Sequence, residues 1–359
     1  MKIRNLLFAF LAAATLTGCG LVTEDGDDTN CGLFVAFKYD YNLQRADMFK
    51  DHVGGVTLYV FDNDGNYLRS YEENDIASMG MMVNGEYMHC MHIQDLPDGD
   101  YRFIALCNQK PYEATLGTKG AKYRRTQLTE GDNNEKLTVR LDATDSSDGT
   151  YATVSNEAPL DTLWHGMTGS TAVKVSNHDQ VVTTISLTRD TKMLTIGLHN
   201  LDEGKRADID TDDFTYYILD NNGVLAYNND IVADKNLIYT PFYKWNTYST
   251  DLSGNVTDAT AHACITFNRL KYYNDPDENA LLVITNKNTG KQVAAINLTE
   301  FLAQGRNAYD LYAYSKQEYL DRAYDYYMDF FIKNDTWQYA EVRINVLSWA
   351  KRIQNVDLK

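Results

Sequence analysis

No apolar run in this chain is long enough to cross a bilayer as a helix. The longest, Leu6 to Leu16, holds eleven residues interrupted only by Thr15, against the ~20 that a spanning helix needs. Cations are also scarce. Lys and Arg number 33 against 50 Asp and Glu, a formal net charge of −17, and such a surface repels phosphates and excludes a nucleic-acid partner. With five cysteines in 359 residues there is no disulfide scaffold, so the core must be hydrophobic. The signatures of catalysis are missing as well: no Gly-x-Ser-x-Gly elbow, P-loop, His-Glu-x-x-His or Cys-x-x-Cys occurs. The chain reads as a non-enzyme without cofactor or metal.

The short apolar run has its own meaning. Lys2 and Arg4 precede it, and Thr17, Gly18 and Cys19 follow it, the pattern of a lipoprotein signal peptide over residues 1–18 with Cys19 as the acylated first residue of the mature protein. Acyl chains contribute about 0.8 kcal/mol per buried methylene, so several chains on one cysteine hold firmly. Residues 19–32 carry Glu24, Asp25, Asp27 and Asp28 with little apolar content, which predicts a flexible acidic tether. That stretch is similar to a signal for export to the outer face of the outer membrane; a plain solvated linker is the competing reading. The expected location is the cell outer membrane, lipid-anchored and facing outward. Loss of the leader takes the formal charge from −17 to −19.

The body predicts strands. Leu33 to Tyr39, Val53 to Phe61, Glu86 to Ile93, Tyr101 to Cys107, Lys136 to Leu141, Val181 to Leu187, Met193 to Leu198 and Phe214 to Leu219 are short, rich in β-branched and aromatic residues, and punctuated by Gly, Asn or Asp. The fold class is all-β, in antiparallel sandwiches. Asp64-Gly65 and Asn222-Gly223 suit hairpin turns, and Pro97 to Asp100 a longer turn. Aligning Leu58–Tyr67 with Tyr216–Leu225 matches Tyr59 to Tyr217, Asp62 to Asp220, Asn63 to Asn221 and Gly65 to Gly223, and Phe103–Asn108 echoes Leu281–Asn286. A duplication follows, with domains at 33–189 and 190–359 and Thr144 to Asn177 as an elaborated loop of the first. Helix is confined to one or two short segments, at Thr299 to Gln304 and after the capping pair Ser315 and Glu318. Strands return at Tyr326 to Ile332 and Tyr339 to Leu347, the last with one face buried by alternation.

With the lipobox, the segments Leu58-Tyr-Val-Phe-Asp-Asn-Asp-Gly, Leu96-Pro-Asp-Gly-Asp-Tyr-Arg-Phe, Leu187-Thr-Arg-Asp, Ile344-Asn-Val-Leu-Ser-Trp349 and Asn355-Val-Asp-Leu358 make the chain resemble the FimB-type fimbrial anchor family, lipoproteins at the base of type V pili. The resemblance implies two tandem transthyretin-like β-sandwiches and a structural role. The lipid would secure a pilus base, and the partners would be stalk or accessory pilin subunits bound by strand addition to an open sheet edge. Only ten residues follow Trp349, which leaves little to donate and favours a terminal subunit. Related stalk precursors lose an N-terminal strand after a basic residue. Lys38 and Arg45 are the comparable positions here, and an anchor must stay whole across them.

Other residues are candidates for chemistry. His89, Cys90 and His92 lie on one strand, with Cys90 and His92 on the same face, too few for a metal site. If the turn at Pro97 to Asp100 returns this strand against the next, Cys90 stands across from Cys107; a bridge between them and two buried free thiols both stay open, the thiols preferred. Asp62, Asp64 and Asn66 alternate oxygens like a calcium loop, but Gly65 and the missing distal Glu favour a plain turn. Tyr239, Tyr243, Trp245 and Tyr248 cluster around Lys244, and Tyr309, Tyr312 and Tyr314 form a second cluster. Core and cross-strand packing is the preferred reading for these rings, while Tyr243 and Trp245 would be contacts for a glycan or a partner if the chain were instead a surface glycan-binding lipoprotein of a polysaccharide-uptake system. Replacing Cys19→Ala should leave a folded protein that fractionates away from membranes; a variant that still pellets with them would contradict the lipobox reading.

Overall fold

The structure, a computed structural model, describes residues 31–307, 309–346 and 349–353. Cys19, the leader and the tether up to residue 30 lie outside the described residues, as does Asn355 to Leu358. Along the chain come β1 (Gly32–Lys38), α1 (Phe49–His52), β2 (Gly55–Asp62), β3 (Tyr67–Glu73), β4 (Gly80–Val83), β5 (Glu86–Ile93) and β6 (Gly99–Asn108). A connecting stretch holds α2 (Tyr112–Leu116), β7 (Tyr123–Arg125), β8 (Thr138–Leu141), β9 (Thr144–Asp145) and β10 (Tyr151–Thr153), followed by β11 (Leu163–Met167), β12 (Val173–Val175), β13 (Gln180–Ser186) and β14 (Thr188–Arg189). The sheet β13-β1-β5-β4 packs on the sheet β14-β11-β6-β2-β3. Leu33, Val35 and Phe37 of β1 meet Leu58, Val60, Phe103 and Ala105 in that first core.

The second half runs through β15 (Lys192–Asn200), β16 (Phe214–Asp220), β17 (Val224–Ala226), β18 (Ile231–Val232), β19 (Asn236–Tyr239), β20 (Tyr243–Thr250) and β21 (Val256–Phe267). It closes with β22 (Leu281–Asn286), β23 (Gln292–Asn297), α3 (Leu298–Ala303), α4 (Lys316–Arg322), β24 (Asp325–Lys333), β25 (Thr336–Val346) and β26 (Trp349–Ile353). Here β20-β21-β15-β24-β25-β26 packs on β23-β22-β16-β19-β10-β9. The fold is all-β, two sandwiches in tandem.

The same pairings recur in the two halves. β1 lies parallel to β13 and antiparallel to β5, and β15 lies parallel to β24 and antiparallel to β21. The pair β2 and β6 has its counterpart in β16 and β22. The two Asx-Gly turns, however, are not equivalent. Gly65, at φ +85°, closes the β2–β3 hairpin, its N–H donating to the Asp62 carbonyl at 3.1 Å. Asn222-Gly223 instead carries the chain from β16 in one sheet to β17 in another, and Gly223 has no positive φ. Asn222 is buried there, donating to the carbonyls of Asn268 and Arg269 and accepting from the Tyr239 hydroxyl. Pro97 to Asp100 likewise crosses between sheets, so β5 and β6 do not pair.

Thr144 to Asn177 is not a loop of the first half. β9 and β10 extend a sheet of the second half, with Tyr151 opposite Asn236, while β11 and β12 pair with β6. β7 and β8 join β17 and β18 in a small sheet of mixed origin. Ala121, Tyr123, Leu137, Val139, Leu141, Ala152, Val154 and Leu160 thereby enter the same core as Leu194, Ile196, Ile218, Ile265 and Leu282. We propose that 33–189 and 190–359 are the units of duplication, joined by this shared core.

Among the described residues α-helix is limited to four segments of seven residues or fewer. α4 starts at Ser315, whose Oγ accepts the Glu318 N–H at 3.0 Å, and α3 starts at Asn297, whose Oδ1 accepts the Glu300 N–H at 2.8 Å. In β25 the expected alternation fails locally, since Ala340, Glu341 and Val342 are all buried. A chain cut between Arg189 and Asp190 would strip the apolar residues of 121–160 from the second core, at a cost of about 2–5 kcal/mol for each large side chain lost. Residues 31–189 and 190–359 expressed separately should therefore each lack the cooperative urea transition of the full chain; two independently cooperative halves would contradict the shared core.

Candidate functional site

β1 is held on every side. All seven of its residues pair with β13, and Leu33 to Ala36 pair with β5 as well. Leu33, Val35 and Phe37 are buried on one face and Phe34 and Ala36 on the other, so the strand reads as a continuous apolar run rather than an alternating one. The two basic positions that follow are constrained differently. Lys38 sits inside the ladder opposite Ser186. Arg45 lies in the next loop at φ 54°, its Nε donating to the Tyr314 hydroxyl at 2.9 Å and its guanidinium 5.5 Å from that ring. The same loop is stitched by Asn42, which donates to the carbonyls of Tyr39 and Ala46, and by Asp47, which accepts from the N–H groups of Tyr39 and Phe49.

β1 leads into a charged seam between the halves. The Arg189 guanidinium lies 4.1 Å from the Tyr324 ring and 5.7 Å from Trp164. Asp190 and Lys192, both fully buried, come next. Asp190 accepts from Asn229 Nδ2 at 2.8 Å, and Lys192 donates to the carbonyls of Asp321 and Ala323 at 3.0 and 2.8 Å. Arg269 grips the Asp321 carboxylate with Nε and Nη2 at 2.7 and 2.9 Å. Burial pushes the Asp190 carboxyl up and the Lys192 ammonium down. The Leu187-Thr-Arg-Asp segment signalled this junction in the sequence, but nothing there identified Arg269, Asp321 or Asn229 as its partners.

Cys90 and Cys107 are buried free thiols in different sheets. Cys90 stands opposite Ala36, and Cys107 opposite Val56 and Trp164, because the turn between β5 and β6 crosses the sandwich instead of forming a hairpin. The expected register that brought the two together is thus corrected. Burial pushes the Cys90 thiol up to about 11 and Cys107 up to about 12, which leaves both unreactive. His92 stacks on Phe34 at 4.1 Å and bonds the Cys31 carbonyl, while His89 lies on the opposite side against Phe49. Asp62 spends its carboxylate on the N–H and side-chain amide of Asn66 within its own turn. Among the described residues no group of three or more His, Cys, Asp or Glu is arranged to hold a metal, and no helix is long and apolar enough to cross a membrane.

The aromatic clusters divide. Tyr239 belongs to the core, Trp245 is half-buried, and Tyr243, Tyr248 and Tyr312 are exposed. Tyr314 lies under both Arg45 and Arg322, and the side chain of Tyr309 lies outside the described residues. Tyr243 stacks on Trp245 at 5.2 Å and 21°, and Trp245 on its cross-strand partner His262 at 4.8 Å and 11°. Trp245 therefore stacks with two rings. Beyond this stack the β20–β21 hairpin continues past the core, and its tip carries Leu252, fully exposed, a residue that sequence reading passed over because a lone Leu in a polar turn has no periodicity. A cleft of about 530 Å³ opens elsewhere, lined by Asp220, Asn221, Tyr273, Asp277, Glu278 and Leu281 among others.

A family model, described as fimbrillin-A associated anchor proteins Mfa1 and Mfa2, matches residues 26–355 of this chain. Among solved structures, a Bacteroides thetaiotaomicron protein provisionally described as polysaccharide-binding is 30% identical, with a TM-score of 0.66 and coverage of 90% of this chain and 98% of that one. A second protein of that organism, provisionally described as an adhesin, is 23% identical, with a TM-score of 0.68 over 90% and 99% of the two chains. The fimbrial anchor protein Mfa2 from Porphyromonas gingivalis is 17% identical, with a TM-score of 0.57 over 89% and 98%. These last two share the fold. No curated protein matches the chain.

The cleft yields a pH test. Burial raises the Asp220 carboxyl from its ordinary 3.8 to about 7, only partly offset by the Asn221 N–H. The folded state then holds a proton that the unfolded state has released, so stability falls as pH rises through that window. Asp220→Asn should raise the melting temperature more at about pH 8 than at about pH 5. An equal effect at both would contradict the assignment.

Proposed function

Because the chain belongs to the family of fimbrillin-A associated anchor proteins, matched over residues 26–355, we propose that it is an outer-membrane lipoprotein tying the base of a type V-like fimbria to the cell surface. In this reading lipidated Cys19 is one end of a mechanical link, and a stalk or accessory pilin, bound by strand addition, is the other. The family is of fimbrial anchor and adhesin type, non-enzymatic in kind.

The observation that carries the reading is the state of β1. A strand paired on both sides and buried on both faces cannot be excised after Lys38 or Arg45 without exposing the first core, so the segment nearest Cys19 stays continuous with the body. β26 supports the same role from the other end of the chain, since it is already paired with β25 and is not free to be donated. A glycan-binding role is the second reading, favoured by the description of the 30% identical relative. Deleting the gene should release fimbriae into the medium while their subunits are still made. Fimbriae that remain firmly attached would contradict the anchor role.

A further inference from the structure

We infer that the projecting β20–β21 hairpin is the docking element of this protein and that its occupant is an extended strand of a partner protein, laid along the outer half of β20 with Tyr248, Leu252 and Val256 in contact. The inference rests on the anchor reading and names the surface that would hold the pilin.

Edge strands expose unpaired N–H and C=O groups, and proteins normally blunt them. Most edges here are blunted. β9, β14 and β18 have two residues each, β7 and β12 three, and β4 four. β3 carries Arg69, Glu72 and Glu73, and β26 carries Lys351 and Arg352. β23 packs against β25. β13 is uncharged, but β11 crosses its end so closely that a Cβ on Gly166 would come within 2.5 Å of Ile185 Cγ2 and 2.9 Å of the Ser186 carbonyl. β20 is the exception, eight residues long with no proline. Its one charge, Lys244, is paired with Asp212 at 2.5 Å. Residues 210–213 lie beside its first half, where Asn246 bonds Asp210 and the Thr211 N–H. Thr247 to Thr250 is exposed.

The tip beyond this edge is apolar where a solvated turn would be polar. Tyr248 is 59% exposed, Val256 47%, and Leu252 completely. Val256 pairs with Thr250, two residues beyond Tyr248 in β20 and just past a register shift after Ser249, so the apolar residues gather at one end of the hairpin. The hairpin also lies far from Gly32, the start of β1, along the strand path. β1 starts at Gly32 and ends at the seam, where Lys38 accepts the Leu187 N–H. β15 leaves the seam at Lys192, and the hairpin extends past the pair His199 and Thr260 at its far end.

The choice of a protein strand follows from what the other occupants need. A sugar stacks on an open ring face, and Trp245 is already stacked with both Tyr243 and His262. A bilayer is disfavoured by Asp251 and Asp258 at the tip. Those same carboxylates, with Asp210, favour a strand that is apolar with a lysine or arginine beside it.

The test uses the full-length protein in cells that make fimbriae. A photo-crosslinking residue placed at Tyr248 or Leu252 should label subunits of the sheared fimbriae, and one placed at Val182 in β13 should not. Ser249→Pro and Tyr248→Pro address the edge directly, because adjacent N–H groups point to opposite sides of a strand. The variant that keeps the wild-type melting temperature is the one whose N–H faced outward. That variant and Leu252→Glu should lower cell-retained fimbriae roughly tenfold, the scale of losing one interface anchor. Labelling from Val182 alone, labelling of carbohydrate instead of protein, or full retention in both variants would overturn the docking site while leaving the anchor role intact. Retention in the gene deletion would instead remove the reading on which it rests.

Discussion

The structure depends on one act of sharing. The second sandwich is completed by side chains from residues 121–160, a segment that lies between β6 and β11 of the first. Val139 and Leu141 come from β8, which pairs with β17, and Leu137 from just before it, while Ala152 comes from β10 beside β19 and Val154 from just after it. An interface of this kind is a continuous core rather than a contact between finished domains, and it removes the freedom that a simple linker would leave. The buried charges beside the seam belong to the second half itself. Lys192 donates to the Asp321 carbonyl, Arg269 pairs with the Asp321 carboxylate and Asp190 accepts from Asn229, so removing one member of this network would leave an ion buried without its partner, which costs more than the pairing contributes.

Sharing also explains which features the sequence disclosed. Local signals were legible: the Ser315 cap, the Asp64-Gly65 hairpin and the apolar run of β1 depend on residues within a few positions of each other. The matched segments also correspond in their pairing, β2 with β6 and β16 with β22. Nonlocal choices were not legible. Asn222-Gly223 encodes a turn but not which sheet the chain enters after it, and the same ambiguity at Pro97 to Asp100 produced the false register between Cys90 and Cys107. β9 and β10 looked like loop because such short strands bury little, Ala152 being the one buried side chain within β10.

The candidate site divides in the same way. That Tyr243 and Trp245 form an aromatic group was readable; that they stack on His262 was not, since His262 reaches Trp245 only through the β20–β21 register. Leu252 had no pattern to announce it. Its importance comes from where the hairpin carries it.

In the proposed anchor role, load would pass from lipid to partner without an interruption in the chain, along a path that enters through β1, crosses the seam beside Arg189 and continues along β15. Mass spectrometry of the N-terminal peptides of the cell-associated protein tests this most directly. The account predicts an acylated Cys19 at the start of a chain that still contains Gly32 to Lys38. A cell-associated form that begins after Lys38 or Arg45 would contradict it.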